Sequence, residues 1–226
     1  MSRLSRAARR TAAVTGLVGA CLAPFILPPS ASAGTSTLLP PPVPATTVPH
    51  TTPAPKPQTI AGLLAPFAAG FDIDNNNFNV ATHLVLKFPD LVAAATKPGN
   101  VTVFLPTDYA FRRLVKALTG TVVVDESKLV STLMLMGKDR IGHLLRHHVA
   151  PGVRVQYRRL ANGTVPTLRT LDGGRLAVKV TTRPRRTVWL GDAAPALTDA
   201  KVIRADVIAS NGLLHVVDQV ILPFAP

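Results

Sequence analysis

Apolar residues recur first at helical and then at strand spacing. Ile60, Leu63, Leu64 and Phe67 stand at i, i+3, i+4 and i+7, the stripe of a short helix that Pro66 cuts off. A second helix is expected from Phe78 to Leu86, apolar on nearly every side and therefore a core helix, broken at Phe88, Pro89 and Asp90 before a further apolar stretch over 91–95. Between 125 and 136, Leu129, Leu133 and Met136 share one face. Asp139 is placed to cap a following helix that aligns Ile141, Leu144, Leu145 and His148. Beyond Pro151 and Gly152 the period changes to two: Val153, Val155 and Tyr157 alternate with polar residues, as do Leu176, Val178 and Val180. Asp172, Gly173 and Gly174 mark a turn between these runs. Further strands are expected over 187–190, 202–208 and 213–222, with Asn211 and Gly212 as a hairpin signal between the last two. Helices first and strands later describe an α+β domain.

Between the two textures lies a unit whose local signals all agree. Val101, Val103 and Leu105 alternate with Thr102 and Phe104, and Pro106 ends the strand. Thr107 is positioned to cap a helix, and Asp108 adds favourable charge to its first turn. That helix buries Phe111, Leu114, Val115 and Leu118, leaves Arg112, Arg113 and Lys116 outside, and stops at Gly120.

The N-terminal residues follow another logic. Arg3, Arg6, Arg9 and Arg10 precede an apolar run over 11–27, and Ala31, Ser32 and Ala33 stand before Gly34, the pattern of a signal peptide over 1–33. The run is interrupted by Pro24 and falls short of the roughly 20 apolar residues of a spanning helix. Cys21, the chain's one cysteine, follows Val18, Gly19 and Ala20 as at a lipoprotein acylation site, which makes it the lipidation candidate. The apolar residues continue past it towards the better cleavage site, which favours an ordinary leader cysteine. Over 34–57, Pro40, Pro41, Pro42, Pro44, Pro49, Pro53, Pro55 and Pro57 predict an extended linker or stalk. The domain then occupies 58–226, rests on its core without disulfides, and is expected to be secreted or held at the cell surface.

Charge narrows the partners. Without the four leader arginines, 21 of the 25 basic residues remain against 12 acidic ones, a net +9. An exported chain of this charge meets anionic envelope polymers or lipid headgroups before nucleic acid, so no nucleic-acid partner is expected. Arg183, Arg185 and Arg186 lie between two expected strands, with Arg154, Arg158, Arg159, Arg169 and Arg175 in the same half, and together they are expected to form one arginine-rich face. Guanidinium forks suit phosphate, sulfate and carboxylate, so the three arginines are the candidate anionic-ligand contact.

Catalytic chemistry finds little to start from. His143 and His147 have the i, i+4 spacing of a zinc pair, but Leu144 stands where the glutamate of a His-Glu-x-x-His site belongs and no third ligand follows. Asp72, Asp74 and Asn76 begin like a calcium loop, yet Asn77 replaces the turn glycine and His83 the bidentate glutamate, so a capped turn is the better reading. No nucleophile elbow, phosphate loop or dinucleotide fingerprint occurs, and no cofactor is expected. Asn100 and Asn162 head N-glycosylation patterns that matter only in a eukaryotic secretory host.

Three ordered segments carry a family resemblance. Residues 102–111 resemble the first signature of the fasciclin family, 144–152 are similar to its central tyrosine-histidine motif, and 211–223 to its last. The resemblance implies a compact wedge of two small β-sheets flanked by several helices, with roles in adhesion and in matrix or envelope contact. It also implies structural roles for Thr107, Asp108, Phe111, His148, Pro151, Gly152, Asn211, Gly212, His215, Asp218 and Pro223. Leu105 stands where the family more often has alanine, and His147 where it usually has tyrosine. Helical geometry turns His148 towards the core, with Asp108, His215 and Asp218 as candidate hydrogen-bond partners. The expected function is a non-enzymatic adhesion or envelope-binding module for an anionic polysaccharide, a lipid headgroup or another surface protein. The alternatives are a metal-dependent hydrolase using His143 and His147, and a passive surface protein.

Overall fold

The computed structural model describes residues 57–191 and 198–223. In chain order, α1 (Ile60–Leu64) runs into a 3-10 turn (Ala65–Ala68), and α2 (Asn79–Val85) and α3 (Pro89–Thr96) precede β1 (Val101–Pro106). The helices α4 (Asp108–Thr119), α5 (Glu126–Leu135) and α6 (Lys138–His147) lead to β2 (Val149–Pro151). After α7 (Tyr157–Ala161) come β3 (Thr167–Arg169), β4 (Arg175–Thr181), β5 (Thr187–Leu190), β6 (Ala200–Ala209) and β7 (Gly212–Val217). The expected signal peptide, Cys21 and the stalk up to residue 56 lie outside the described residues.

The α+β class is as expected, but the strands form one sheet, in the order β2-β1-β7-β6-β5-β4-β3. The joint is β6. Ala200 and Lys201 pair with β5, whereas from Val202 onward the strand pairs with β7 through register shifts at Val202/Arg204 and Arg204/Val207. Asp206 sits in this irregular stretch at φ 56, a left-handed conformation its short polar side chain tolerates. The far ends of the sheet approach each other, because the Leu171 N–H donates to the Val149 carbonyl at 2.8 Å. The sheet therefore curls around its own contents.

Two cores result. Inside the curl lie Phe104, Leu160, Leu168, Leu176, Val188, Leu190, Val217 and Ile221. On the other face, α1 to α6 pack Ile60, Leu84, Phe111, Leu129, Leu133, Ile141 and Leu144 against the sheet. β1 is buried on both sides, sending Val101 and Leu105 to the helical core and Phe104 into the curl. That explains why its sequence is nearly all apolar.

Local signals were followed in most places. The side chains of Thr59, Thr107 and Asp125 accept from Gly62, Ala110 and Lys128 N–H groups and start α1, α4 and α5. Gly120 ends α4 at φ 71. Three expectations are corrected. Gly137, not Asp139, precedes α6 as its cap residue. Residues 153–157 form no strand, because Thr102 Oγ1 donates to the Val153 carbonyl at 2.9 Å and accepts the Val155 N–H at 3.0 Å, and Tyr157 already begins α7. In the β6–β7 hairpin Ala209 pairs with Gly212, so Ser210 and Asn211 make the turn and Gly212 opens the strand. A Cβ at Gly212 would stand 2.3 Å from the Val101 carbonyl oxygen, so close strand approach is what requires glycine there.

Candidate functional site

The family-motif polar residues are buried, Asp218 only half so, and they hold backbone. Asp108 does more than favour its own helix: its carboxylate accepts the Asn79 and Val80 N–H groups at 3.0 and 2.9 Å, capping α2. Burial pushes this carboxyl up to about 7 against those two hydrogen bonds, and the nearby Glu126 charge adds to the push. Glu126 itself is buried and meets Arg112 at 3.2 Å.

His148 donates from Nδ1 to the Leu144 carbonyl at 2.8 Å and accepts the Ile221 N–H at Nε2, 3.0 Å away. Its partners are thus backbone groups and none of Asp108, His215 or Asp218. Burial pulls its pKa down to about 4, so the ring is neutral. His215 donates from Nε2 to the Val155 carbonyl at 2.8 Å, accepts the Asp206 N–H at Nδ1, and stacks on Phe104. Burial lowers its pKa too. The Asp218 carboxylate accepts the Lys201 N–H at 2.8 Å. Asn211 accepts from the Ile60 N–H at 2.9 Å and donates to the carbonyls of Ala95 and Lys97 at 2.9 and 3.2 Å, lacing the last hairpin to α1 and α3. Phe111 is in the helical core, Pro151 pairs with Val101, Gly152 turns the chain at φ 77, and Pro223 follows buried Leu222.

The histidine pair does meet a third group, which the sequence spacing did not reveal. His143 Nε2 and His147 Nδ1 both reach Asp172 Oδ2, at 3.0 and 2.8 Å, from the turn before β4. Burial opposes the Asp172 charge, but the Thr170 hydroxyl, His147 and the Gly174 N–H outweigh it and hold the carboxyl below its usual range. Both imidazoles converge on one oxygen and are spent on it, and no metal-holding group of three such residues occurs among the described residues. His147 is 5 % exposed, so in the place of the family tyrosine it fastens α6 to the β3–β4 turn.

The arginines do not gather into one patch. Arg183, Arg185 and Arg186 occupy the connection between β4 and β5, exposed, with a cis bond at Arg183-Pro184. The Arg186 carbonyl accepts from the Tyr157 hydroxyl at 3.4 Å. Arg169 and Arg175 face each other across β3 and β4 at the opposite end of β4, which by strand rise is about 20 Å away. Arg154 is engaged elsewhere, on the Ser210 and Gly99 carbonyls.

This wedge of helices on a curled sheet, with its motif residues turned inward, has known counterparts. The family model for the fasciclin domain matches residues 76–223. The chain belongs to the fasciclin domain family. Its fasciclin domain is 37% identical to protein sll1483 of Synechocystis over 66% of this chain and 69% of that protein. It is 26% identical to human periostin over 62% of this chain, which spans only 14% of periostin. In fold it matches the FAS1 domain pair of the insect cell adhesion molecule fasciclin I with a TM-score of 0.54 at 17% identity, covering 73% of this chain and 51% of that one. Fasciclin domains are generally adhesion-related, non-enzymatic modules, typically extracellular or at the cell surface. No helix among the described residues is long and apolar enough to cross a membrane.

Proposed function

We propose that this protein is a non-enzymatic extracellular or cell-surface adhesion module that engages an anionic partner, a glycopolymer or lipid headgroup of the envelope or matrix, through its basic C-terminal half. The observation that carries this is the crowding of Arg183, Arg185 and Arg186 in one exposed connection, with none of the ion pairs among the described residues involving them. Three guanidinium groups carried within four residues of one exposed connection repel one another and favour counter-charge from a partner. The signal-peptide pattern and the adhesion-related character of fasciclin domains support an extracellular setting.

The test is retention of the purified domain on immobilised polygalacturonate, with neutral dextran as reference, along a sodium chloride gradient. Retention on the acidic resin alone, falling as salt rises, is expected. The triple Arg183→Gln, Arg185→Gln, Arg186→Gln variant should elute at lower salt. Equal elution would remove the 182–186 connection from the contact, and no retention on polyanions or on anionic vesicles would refute the anionic partner.

A further inference from the structure

A second basic surface lies on the sheet itself, and its centre is aromatic. Trp189, the chain's one tryptophan, stands directly opposite Lys179 on β4 and Lys201 on β6. Its strand neighbours Val188 and Leu190 are both 0% exposed and fill the inner core, so strand alternation turns Trp189 and Thr187 outward. The same parity governs the adjoining strands. Leu168, Leu176, Ala200 and Val202 point into the curl, which leaves Thr167, Arg169, Arg175, Ala177, Lys179, Thr181 and Lys201 on the outer face. Trp189 Nε1 donates to Thr181 Oγ1 at 3.1 Å, laying the indole across β4 and β5.

Beside the indole row lie Ala177 and Gly191, where a Cβ on Gly191 would stand 3.0 Å from the Ala177 Cβ and 3.7 Å from Lys179 Cε, so the lysine stem borders this floor. Past this floor, about 13 Å along β4 from the tryptophan row, Arg169 and Arg175 are direct cross-strand partners. Like charges in that register oppose strand pairing, and a bound anion relieves the repulsion. Lys179 is neutralised by Asp199 at 2.8 Å. Arg169, Arg175 and Lys201 enter none of the ion pairs among the described residues.

We propose that the outer face of β3, β4, β5 and β6 is a binding platform for an acidic polysaccharide. Trp189 offers a plate for the apolar face of one sugar ring, and Arg169, Arg175 and Lys201 receive the carboxylates of its neighbours. Thr167 and Thr187 supply hydroxyl partners. A lipid surface suits this face less well, because its centre is a hydrogen-bonded indole among threonines and cations and not a protruding aliphatic cluster. The assignment rests on the anionic-partner reading above, but it moves the principal contact from the 182–186 connection to the sheet.

Trp189 is its own reporter. The domain is titrated with galacturonate oligomers, with dextran oligomers of equal length, and with phosphatidylglycerol vesicles, while tryptophan emission is followed. Galacturonate should change the emission saturably and dextran should leave it unchanged. Arg175→Gln and Lys201→Gln should each raise Kd about tenfold, as for one charge-assisted contact, with the unliganded emission confirming that each variant is folded. The Arg183→Gln, Arg185→Gln, Arg186→Gln triple should keep the emission response. Retention on polygalacturonate without any emission change would overturn the platform and leave the anionic-partner reading standing. An emission response to vesicles and not to oligomers would overturn it in favour of a lipid ligand. Absence of retention on every polyanion would overturn both.

Discussion

His148 should make this domain acid-labile between about pH 6.5 and 4. The neutral ring is built into the fold at both nitrogens, donating to Leu144 and accepting from the Ile221 N–H. Protonation puts a proton on Nε2 against that N–H, in a site 3% exposed. The folded pKa is about 4 and the ordinary value 6.5, so the unfolded chain takes up the proton first as pH falls. Stability from this group is present above 6.5 and is lost progressively down to 4. The loss is about 3 kcal/mol by pH 4, since each tenfold difference in proton affinity between the two states is worth about 1.4 kcal/mol. Asp108 acts in the opposite sense: its folded pKa is about 7 against 3.8, so its contribution is fully present below 3.8 and is lost as pH rises through 7. The wild-type curve alone therefore does not isolate His148, but its difference from His148→Gln does. Urea unfolding followed by Trp189 emission at pH 7, 6, 5 and 4 gives both curves. The variant is expected to start about 1–3 kcal/mol less stable, from perturbed buried hydrogen bonds, and to close most of that gap by pH 4. Parallel curves across the whole range would refute the neutral buried ring.

Two further substitutions probe the last hairpin. Gly212→Ala should destabilise by at least about 2–3 kcal/mol, since its Cβ meets backbone at 2.3 Å and neither strand can yield cheaply; a urea midpoint within error of wild type would show that the strands can part. Asn211→Ala should cost about 2–3 kcal/mol by leaving the Ile60 N–H and the Ala95 and Lys97 carbonyls without their partner. Amide exchange should accelerate in α1 well before the rest of the domain, and uniform acceleration would contradict a local role.

Much of the helical half was legible in the sequence because its signals are local. The stripe on α1, the Thr107 cap, the Gly120 stop and the Phe111 face of α4 depend on neighbours within a few residues. Where a side chain served something distant, the expectation failed or stayed incomplete. Val153, Val155 and Tyr157 alternate like a strand, but Thr102 takes up the Val153 carbonyl and the Val155 N–H. Asp108 read as a first-turn charge and proved to cap a different helix. Asp172 read as a turn residue and proved to be where the two histidines converge.

The sequence by itself determined the α+β class and the inward turn of His148, which follow from periodicity and short-range chemistry, and the family resemblance, which three ordered motifs carry. Only the tertiary structure decided that the strands make one curled sheet, because the joint is a register shift within β6 that leaves no mark in the alternation pattern. It also decided which cations share a surface. Arg175 and Arg183 are close in sequence, yet they stand at opposite ends of β4. Lys179, Trp189 and Lys201 are spread along the chain, and strand pairing alone sets them side by side.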